Sequence, residues 1–336
     1  MPTEFMEKHL HGSSKLINKS EGIDGNFDLF FFSVGWESRC TKIAEYDQGR
    51  FNFKSAIILS FNLNDEKGYL DSYMDKITSF AEKKSVFVNV GEAVDNYDNL
   101  DFIGRKLEKI IINHFNTLNR PLKIGFDISS CPRYFYLRIL GFCLKYNITQ
   151  KISFFYSEGV YKSSGKNFVH SEGDWKIVEM TDFSSSFDPE YQNFYVVAAG
   201  FEGSKYRNLI YQYEPDEIGI LVPKPGFKPE YVKKSIIEYE ILRDKYYIPD
   251  ENIVEAPAGD AVAAWKALTN SHLNKDNYNI TYLTVGPKPH VLAMGVHGFL
   301  SKNIIITYRV PDGYTRMEVE ASKNFWQYDI ENMIFI

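Results

Sequence analysis

Short apolar runs alternate with longer amphipathic stretches along most of the chain. Ser55–Phe61 (SAIILSF) has the length and the apolar content of a buried strand. Residues 100–118 instead carry apolar side chains at helical spacing, among them Ile103, Leu107 and Ile111. Strands that alternate with helices favour a parallel sheet covered on both faces, with right-handed crossovers. The pattern therefore predicts an α/β protein of the Rossmann-like type.

The same order of elements is predicted twice. The predicted strands of the first half cover residues 28–34, 55–61, 86–90, 122–128 and 152–156, and its helices cover 37–46, 67–83, 100–118 and 132–146. The second half has predicted strands over 194–199, 218–222, 253–255, 280–285 and 304–308, and helices over 206–213, 229–245, 258–273 and 289–300. Phe126–Arg133 also aligns without gaps on Leu283–His290. We therefore expect two tandem Rossmann-like three-layer units with mostly parallel sheets, related by internal duplication.

Four segments follow from this repeat. Residues 1–26 are expected to form an N-terminal extension, 27–157 the first repeat, 158–190 a linker and 191–336 the second repeat. The linker is rich in serine and glycine. Its β-branched and aromatic residues, around Asn167–His170 and Trp175–Glu179, indicate a short hairpin.

Composition and charge narrow the class of protein. The 336 residues are 44% hydrophobic and 24% charged, which is typical of a soluble globular protein. The formal net charge of −6 argues against a broad nucleic-acid-binding surface. No apolar run approaches the roughly 20 residues of a membrane helix, and the N-terminus lacks the apolar core of a signal peptide, so we expect a cytoplasmic protein. The three cysteines lack zinc-site spacing, and we predict no metal or cofactor.

Two predicted strands end in a glycine that is followed by an aromatic residue and a glutamate. These segments are Gly35–Arg39 (GWESR) and Gly200–Lys205 (GFEGSK). A glycine at a strand end permits a sharp turn and a close approach to a ligand, and the next helix N-terminus favours an anion. Arg39 is then a candidate anion contact, and Glu37 a candidate to bind a ribose hydroxyl or act in acid–base chemistry. The alternative is a capped turn with a solvated arginine. Neither segment is a GxGxxG or P-loop motif.

Two further strand ends carry polar residues before a predicted helix. Asp127–Arg133 (DISSCPR) combines an acid, two hydroxyls and an arginine, a combination suited to holding an anion. A simple helix N-cap by Ser129 or Ser130 is the alternative. The matching segment Thr284–His290 (TVGPKPH) adds a lysine and a histidine, and there the alternative is a rigid proline-flanked turn.

The Asp127–Arg133 and Thr284–Lys288 motifs, with the duplicated architecture over residues 27–310, resemble the CARF and SAVED ligand-sensing domains. That resemblance implies a Rossmann-like fold that binds cyclic or linear oligonucleotide signals in prokaryotic defence, and SAVED is similar in being two CARF-like halves fused. The glycine–aromatic–glutamate element departs from those domains. No effector domain is attached, so the resemblance implies a protein partner.

One preferred hypothesis and two alternatives follow. The preferred one is a protein that binds a nucleotide or nucleotide-derived anionic ligand at strand C-terminal ends, in a cleft between the two halves, and that acts with a protein partner or a second copy of itself. The alternatives are a nucleotide-processing hydrolase or transferase that uses Glu37 or Asp127, and a structural subunit of a larger complex. We expect Arg39 and Arg133 to line one cleft with Glu37 and Asp127. The candidate ligand-binding residues are Gly35, Trp36, Glu37, Arg39, Asp127, Ser129, Ser130, Arg133, Gly200, Glu202, Ser204, Lys205, Gly286, Lys288 and His290.

Overall fold

Two compact units make up the chain in the computed structural model, which describes residues 2–61, 69–84, 87–90, 100–161, 171–183, 186–314 and 319–335. Unit 1 comprises Met1–Lys162 and Arg316–Ile336, and unit 2 comprises Ser163–Thr315. Each unit has its own sheet and its own helices. Among the described residues, no helix is long and apolar enough to cross a membrane.

Unit 1 is built on an eight-stranded sheet. Its strands are β1 (Thr3–Glu7), β2 (Leu10–Ile17), β3 (Ile23–Val34), β4 (Asp47–Ser60), β5 (Phe87–Val90), β6 (Leu122–Asp127), β7 (Thr149–Tyr161) and β14 (Val319–Asn332). They lie in the order β1-β2-β14-β7-β6-β3-β4-β5. Strands β3 to β7 are parallel, and β14 runs antiparallel to β7. The helical elements of this unit are the 3-10 helix η1 (Ser38–Tyr46), α1 (Tyr69–Lys84), α2 (Leu100–Leu118), α3 (Arg133–Lys145) and the short 3-10 turn Met333–Phe335.

Phenylalanine side chains fill the core on one side of this sheet. The ring centroid of Phe30 lies 4.5 Å from that of Phe32 and 5.1 Å from that of Phe51. Phe155 of β7 and Phe325 of β14 belong to the same buried cluster, which joins residues from both ends of the chain. Apolar burial of this kind holds β14 in unit 1.

Unit 2 is built on a six-stranded sheet. Its strands are β8 (Ser171–Glu179), β9 (Gln192–Ala198), β10 (Glu217–Pro223), β11 (Ile253–Ala256), β12 (Tyr278–Leu283) and β13 (Ile304–Tyr314), in the order β11-β10-β9-β12-β13-β8. Strands β9 to β13 are parallel, and β8 runs antiparallel to β13. Its helices are α4 (Gly203–Tyr213), α5 (Pro229–Tyr246), α6 (Ala261–Thr269) and α7 (Lys288–Leu300), with 3-10 turns at Thr181–Phe183 and Asp250–Asn252.

The two sheets share one strand order. Five parallel strands run β5-β4-β3-β6-β7 in unit 1 and β11-β10-β9-β12-β13 in unit 2, and an antiparallel strand follows the fifth in both. The predicted α/β class with two Rossmann-like units is therefore confirmed. A shared order of this kind is what an internal duplication would produce, and the duplication itself stays a prediction.

The antiparallel sixth strands come from unexpected parts of the chain. β14 follows unit 2 in sequence but pairs with β7 of unit 1, and β8 pairs with β13 instead of folding back on β7. The predicted segment boundaries are wrong at these places, because sheet pairing depends on apolar burial and not on proximity in sequence. Residues 319–332 do not belong with the second repeat, the expected N-terminal extension contributes β1 and β2, and Trp175–Glu179 lies in β8 instead of a local hairpin. Asn167–His170 lies outside the described residues.

Candidate functional site

The strand order of unit 1 creates a switch point between β3 and β6. The chain leaves β3 toward β4 on one side and leaves β6 toward β7 on the other, and ligands of open parallel sheets bind in the crevice at such a point. Gly35 follows β3 directly, and the loop 128–132 follows β6. A Cβ atom built on Gly35 would lie 3.8 Å from the Cβ of Ser130. The predicted motifs Gly35–Arg39 and Asp127–Arg133 therefore meet at this switch point.

Glu37 and Arg39 form a buried ion pair just after Gly35. The Nε and Nη2 atoms of Arg39 both lie 2.7 Å from Oε2 of Glu37, and Nη1 donates to the carbonyl oxygen of Ser157 at 3.2 Å. The guanidinium also lies over the ring of Tyr156, 5.7 Å from its centroid. Only 5% of the Arg39 side chain and 14% of the Glu37 side chain are exposed. The alternative of a solvated arginine is therefore wrong, and each charge is already engaged by the other.

The electrostatics of this pair follow from its burial. Burial by itself lowers the pKa of Arg39, but the adjacent carboxylate of Glu37 outweighs it and holds that pKa above its usual range. Gly159 of β7 makes room for the guanidinium, since a Cβ there would lie 3.2 Å from Arg39 Nη1 and 2.6 Å from Val319 Cγ1. Arg39 stays charged, and it ties the loop after β3 to β7.

Asp127, Ser129 and Ser33 join the ends of three strands. Oδ1 of Asp127 accepts the Ser129 N–H at 2.9 Å, and Oγ of Ser129 accepts the Ser157 N–H at 2.9 Å. The Ser33 hydroxyl donates to the carbonyl oxygen of Asp127 at 2.8 Å. Asp127 and Ser129 are fully buried. The structure places them under the switch point as supports, and it makes Pro132, not a serine, the N-cap of α3.

Arg133 opens α3 beside the same crevice. It is partly exposed, Pro132 before it offers no capping side chain, and the first turn of α3 holds no acidic residue. Burial raises the pKa of the partly exposed Tyr161, and the charges of Arg39 and Arg133 both oppose that rise. Both arginines therefore lie near one tyrosine at the carboxyl end of β7, while a cleft that they line together with Glu37 and Asp127 stays a prediction.

The three thiols are buried in the fold. Burial, together with the negative charge of Asp127, raises the pKa of Cys40 to about 12. A thiol in this state is not a nucleophile at neutral pH. Within the described part of the chain, no group of three His, Cys, Asp or Glu side chains could hold a metal ion.

Sequence reasoning missed the end of β7 and its partner strand. A bulge in β14 places residues 322–324 opposite Glu158, and the Asn324 amide donates to Oε2 of Glu158 at 2.8 Å. Burial raises the pKa of Glu158 and of Tyr156. Tyr156 is the last residue of the predicted strand 152–156, and Glu158 lies beyond it. The one sequence signal that the strand continues is the alternation of Tyr156, Glu158 and Val160 with small residues.

Unit 2 repeats the motif with different partners. Glu202 lies two residues after Gly200, and its Oε2 accepts from Nη2 of Arg309 at 2.8 Å, with 6% and 8% of these side chains exposed. Here the arginine comes from β13 and not from the loop. The hydroxyl of Thr284, which aligns with Asp127, donates to the carbonyl oxygen of Thr307 at 2.7 Å. Ser204 and Lys205 lie in the first turn of α4, and their side chains are outside the described part.

In the strand-end segment Thr284–His290 of unit 2, the predicted ligand residue His290 is buried. His290 is fully buried, and its Nε2 lies 3.1 Å from the carbonyl oxygen of Pro257. Burial lowers the pKa of His290 to about 4, so the ring is neutral at pH 7. Burial likewise lowers the pKa of His297 to about 4, and its Nδ1 lies 2.6 Å from the hydroxyl of Tyr282. Lys288 begins α7 and is partly exposed.

Comparisons with known proteins do not assign a family. No protein-family model matches the chain, and no curated protein sequence matches it. Among solved structures, it is similar to a candidate universal stress protein of Pseudomonas aeruginosa UCBPP-PA14, with 10% identity and a TM-score of 0.23 over 83% of this chain and 92% of that one. A functionally unknown protein of Pseudomonas aeruginosa PAO1 shows 9% identity and a TM-score of 0.22 over the same shares. Scores this low say nothing about function.

Proposed function

We propose that unit 1 binds a nucleotide or a nucleotide-derived anionic ligand at the switch point between β3 and β6. The observation that carries this proposal is that Gly35 lies beside Ser130 at the switch point, and that Arg133 follows three residues later at an α3 N-terminus whose first turn holds no acidic residue. A helix N-terminus with an adjacent guanidinium favours a phosphate group. Trp36 is partly exposed beside Gly35 and offers an aromatic surface for a base.

The buried groups have a supporting part in this proposal. Arg39 and Glu37 hold the loop after β3 against β7, and Asp127 and Ser129 fix the ends of β6 and β7. None of these four presents a free charge to a ligand, because each is engaged within the fold. This engagement weighs against the alternative of a hydrolase or transferase that uses Glu37 or Asp127. The more specific form of the proposal, a ligand sensor in prokaryotic antiviral defence, draws on the resemblance to CARF and SAVED domains.

Arg133→Ala tests the proposal directly. Mono-, di- and short oligonucleotides are titrated by calorimetry, and the tightest ligand is then titrated into the variant. A lost charge-assisted contact is worth about 1.5–3 kcal/mol, so we expect affinity to fall about tenfold to a hundredfold. The control is Lys145→Ala, which removes the same charge from the last turn of the same helix. Equal losses in both variants, or no loss in Arg133→Ala, would contradict the site.

A further inference from the structure

Helix α5 of unit 2 has apolar side chains on both its inner and its outer side. The inner side is buried in the core of the unit through Tyr231, Ser235, Tyr239 and Leu242. On the outer side, Ile237 and Ile241 lie one turn apart, and 49% and 48% of these two residues are exposed. Single exposed isoleucines are common on protein surfaces, but an apolar pair on the side of a helix that faces away from its core favours contact with a further surface.

Two charged residues flank this apolar pair. Lys233 lies one turn before Ile237 and Asp244 one turn after Ile241, and both are exposed. The other charged side chains of α5 are engaged within the unit: Glu230 with Lys228, Lys234 with Glu238, Glu240 with Arg243, and Lys245 over the ring of Tyr211. Within the described part of the chain, Lys233 and Asp244 have no ion-pair partner. We call Lys233, Ile237, Ile241 and Asp244 the α5 strip.

The four residues of the α5 strip share one side of the helix. At about 100° and 1.5 Å per residue, they lie within an arc of about 80° and along about 17 Å of the axis. The midpoint between Ile237 and Ile241 lies only about 0.75 Å along the axis from the midpoint between Lys233 and Asp244. One two-fold axis therefore brings Ile237 against Ile241, and Lys233 against Asp244, when two copies of α5 lie antiparallel.

We infer that a second copy of the chain docks on the α5 strip, with the two helices antiparallel about this two-fold axis. In a two-fold interface each residue meets its counterpart twice, so the surface must be complementary to itself. The α5 strip meets that requirement in both its apolar pair and its opposite charges, whereas a different partner protein would require no such symmetry. The inference goes beyond the proposed function, and it is tested without any nucleotide.

Sedimentation equilibrium over a range of protein concentrations tests the pairing. The strip is short, so we expect a reversible dimer whose average mass rises with concentration towards twice that of the chain. Ile241→Lys places a charge in the apolar contact of both copies and should raise the dissociation constant about tenfold or more. The control is Ile112→Lys on α2, where 40% of the isoleucine is exposed, and it should leave the dissociation constant unchanged.

Reversing the charges tests the register of the two helices. Lys233→Glu and Asp244→Lys each replace two attractions by two repulsions, so each should weaken the dimer about fourfold or more. The double variant Lys233→Glu/Asp244→Lys restores opposite charges and should return to within about twofold of the wild type. Lys266→Glu makes the same charge change at an exposed position of α6 and should have no effect.

Three outcomes would overturn the inference. A protein that stays monomeric at every concentration would leave the α5 strip to a different partner protein. A dimer that Ile241→Lys leaves intact would form through another surface. A double charge variant that binds no more tightly than the single variants would show that Lys233 does not meet Asp244. Melting curves of each variant confirm that it is folded, and none of these outcomes bears on the proposed function.

Discussion

Removing the charge of Glu37 should strongly destabilise unit 1. In Glu37→Gln the Arg39 guanidinium stays buried, with the carbonyl oxygen of Ser157 and the ring of Tyr156 as its remaining described partners. The 2.7 Å contact between nitrogen and oxygen places the charge centres about 4 Å apart, which corresponds to about 4 kcal/mol at an effective dielectric constant of 20. This agrees with the loss of about 3–5 kcal/mol that follows when one partner of a buried pair is removed.

The assay is thermal unfolding, with hydrogen exchange of the β7 amides to assign the change to unit 1. For a domain of this size the expected loss is a drop in melting temperature of about 8–16 °C. Glu45→Gln is the matched control, because Glu45 lies on η1, the 3-10 helix that Glu37 precedes, and pairs with Lys42 at 2.9 Å while 45% of its side chain is exposed. We expect that control to lose less than about 1 kcal/mol.

The double variant Glu37→Gln/Arg39→Met separates the lost charge from the lost contact. Without the guanidinium no buried charge is stranded, so stability should recover most of the way to that of the wild type. A Glu37→Gln protein that melts with the Glu45→Gln control would refute the reasoning. It would mean that solvent screens this pair as it screens a surface pair.

Three further perturbations have defined outcomes. Glu158→Gln should raise the stability of unit 1 at neutral pH. Burial raises the folded-state pKa of Glu158, so the stability of the wild type falls as pH rises above the ordinary pKa of 4.5. Urea unfolding at a series of pH values should show that the variant lacks this fall. His290→Gln should reduce the loss of stability that unit 2 suffers in acid. The folded-state pKa of His290 is about 4 against an ordinary 6.5, so the wild type loses about 3 kcal/mol of stability as pH falls from 6.5 to 4. A variant whose melting temperature depends on pH as that of the wild type does would contradict this. Gly159→Ala should destabilise unit 1 by about 1–3 kcal/mol, because the methyl group would meet Val319 and Arg39. A variant with the same free energy of unfolding in urea as the wild type would argue against that contact.

The parallel strands and their helices were predictable because each has a recognisable pattern in its own sequence. Continuous apolar runs such as Ser55–Phe61 and helical spacing over 100–118 correspond to β4 and α2 within a few residues, apart from an early start of β4 at Asp47. The outer antiparallel strands were not predictable in the same way. β2 (LHGSSKLI) is largely polar, and β14 pairs with it across more than 300 positions of sequence, so only tertiary burial reveals either.

The candidate site was predictable in position but not in the use of its charges. Glycine after a strand located the switch point, and the predicted helix over 132–146 corresponds to α3, which begins at Arg133. The ion pair of Glu37 and Arg39 depends on the burial of the loop after β3, and no local sequence pattern predicts that burial. The same holds for His290, whose burial against Pro257 comes from packing of α7 on the loop after β11.

The position of β14 has a consequence for how the chain matures during synthesis. This strand lies inside the sheet of unit 1, between β2 and β7, yet it is encoded after the whole of unit 2. While the ribosome is making unit 2, the nascent N-terminal unit presents two unpaired strand edges, which are surfaces prone to wrong pairing. Unit 2 is contiguous and has all its strands, β8 included, before residue 319 is translated. The half that is made first is therefore the half that is finished last, and loss of the final β14 segment would damage the N-terminal unit.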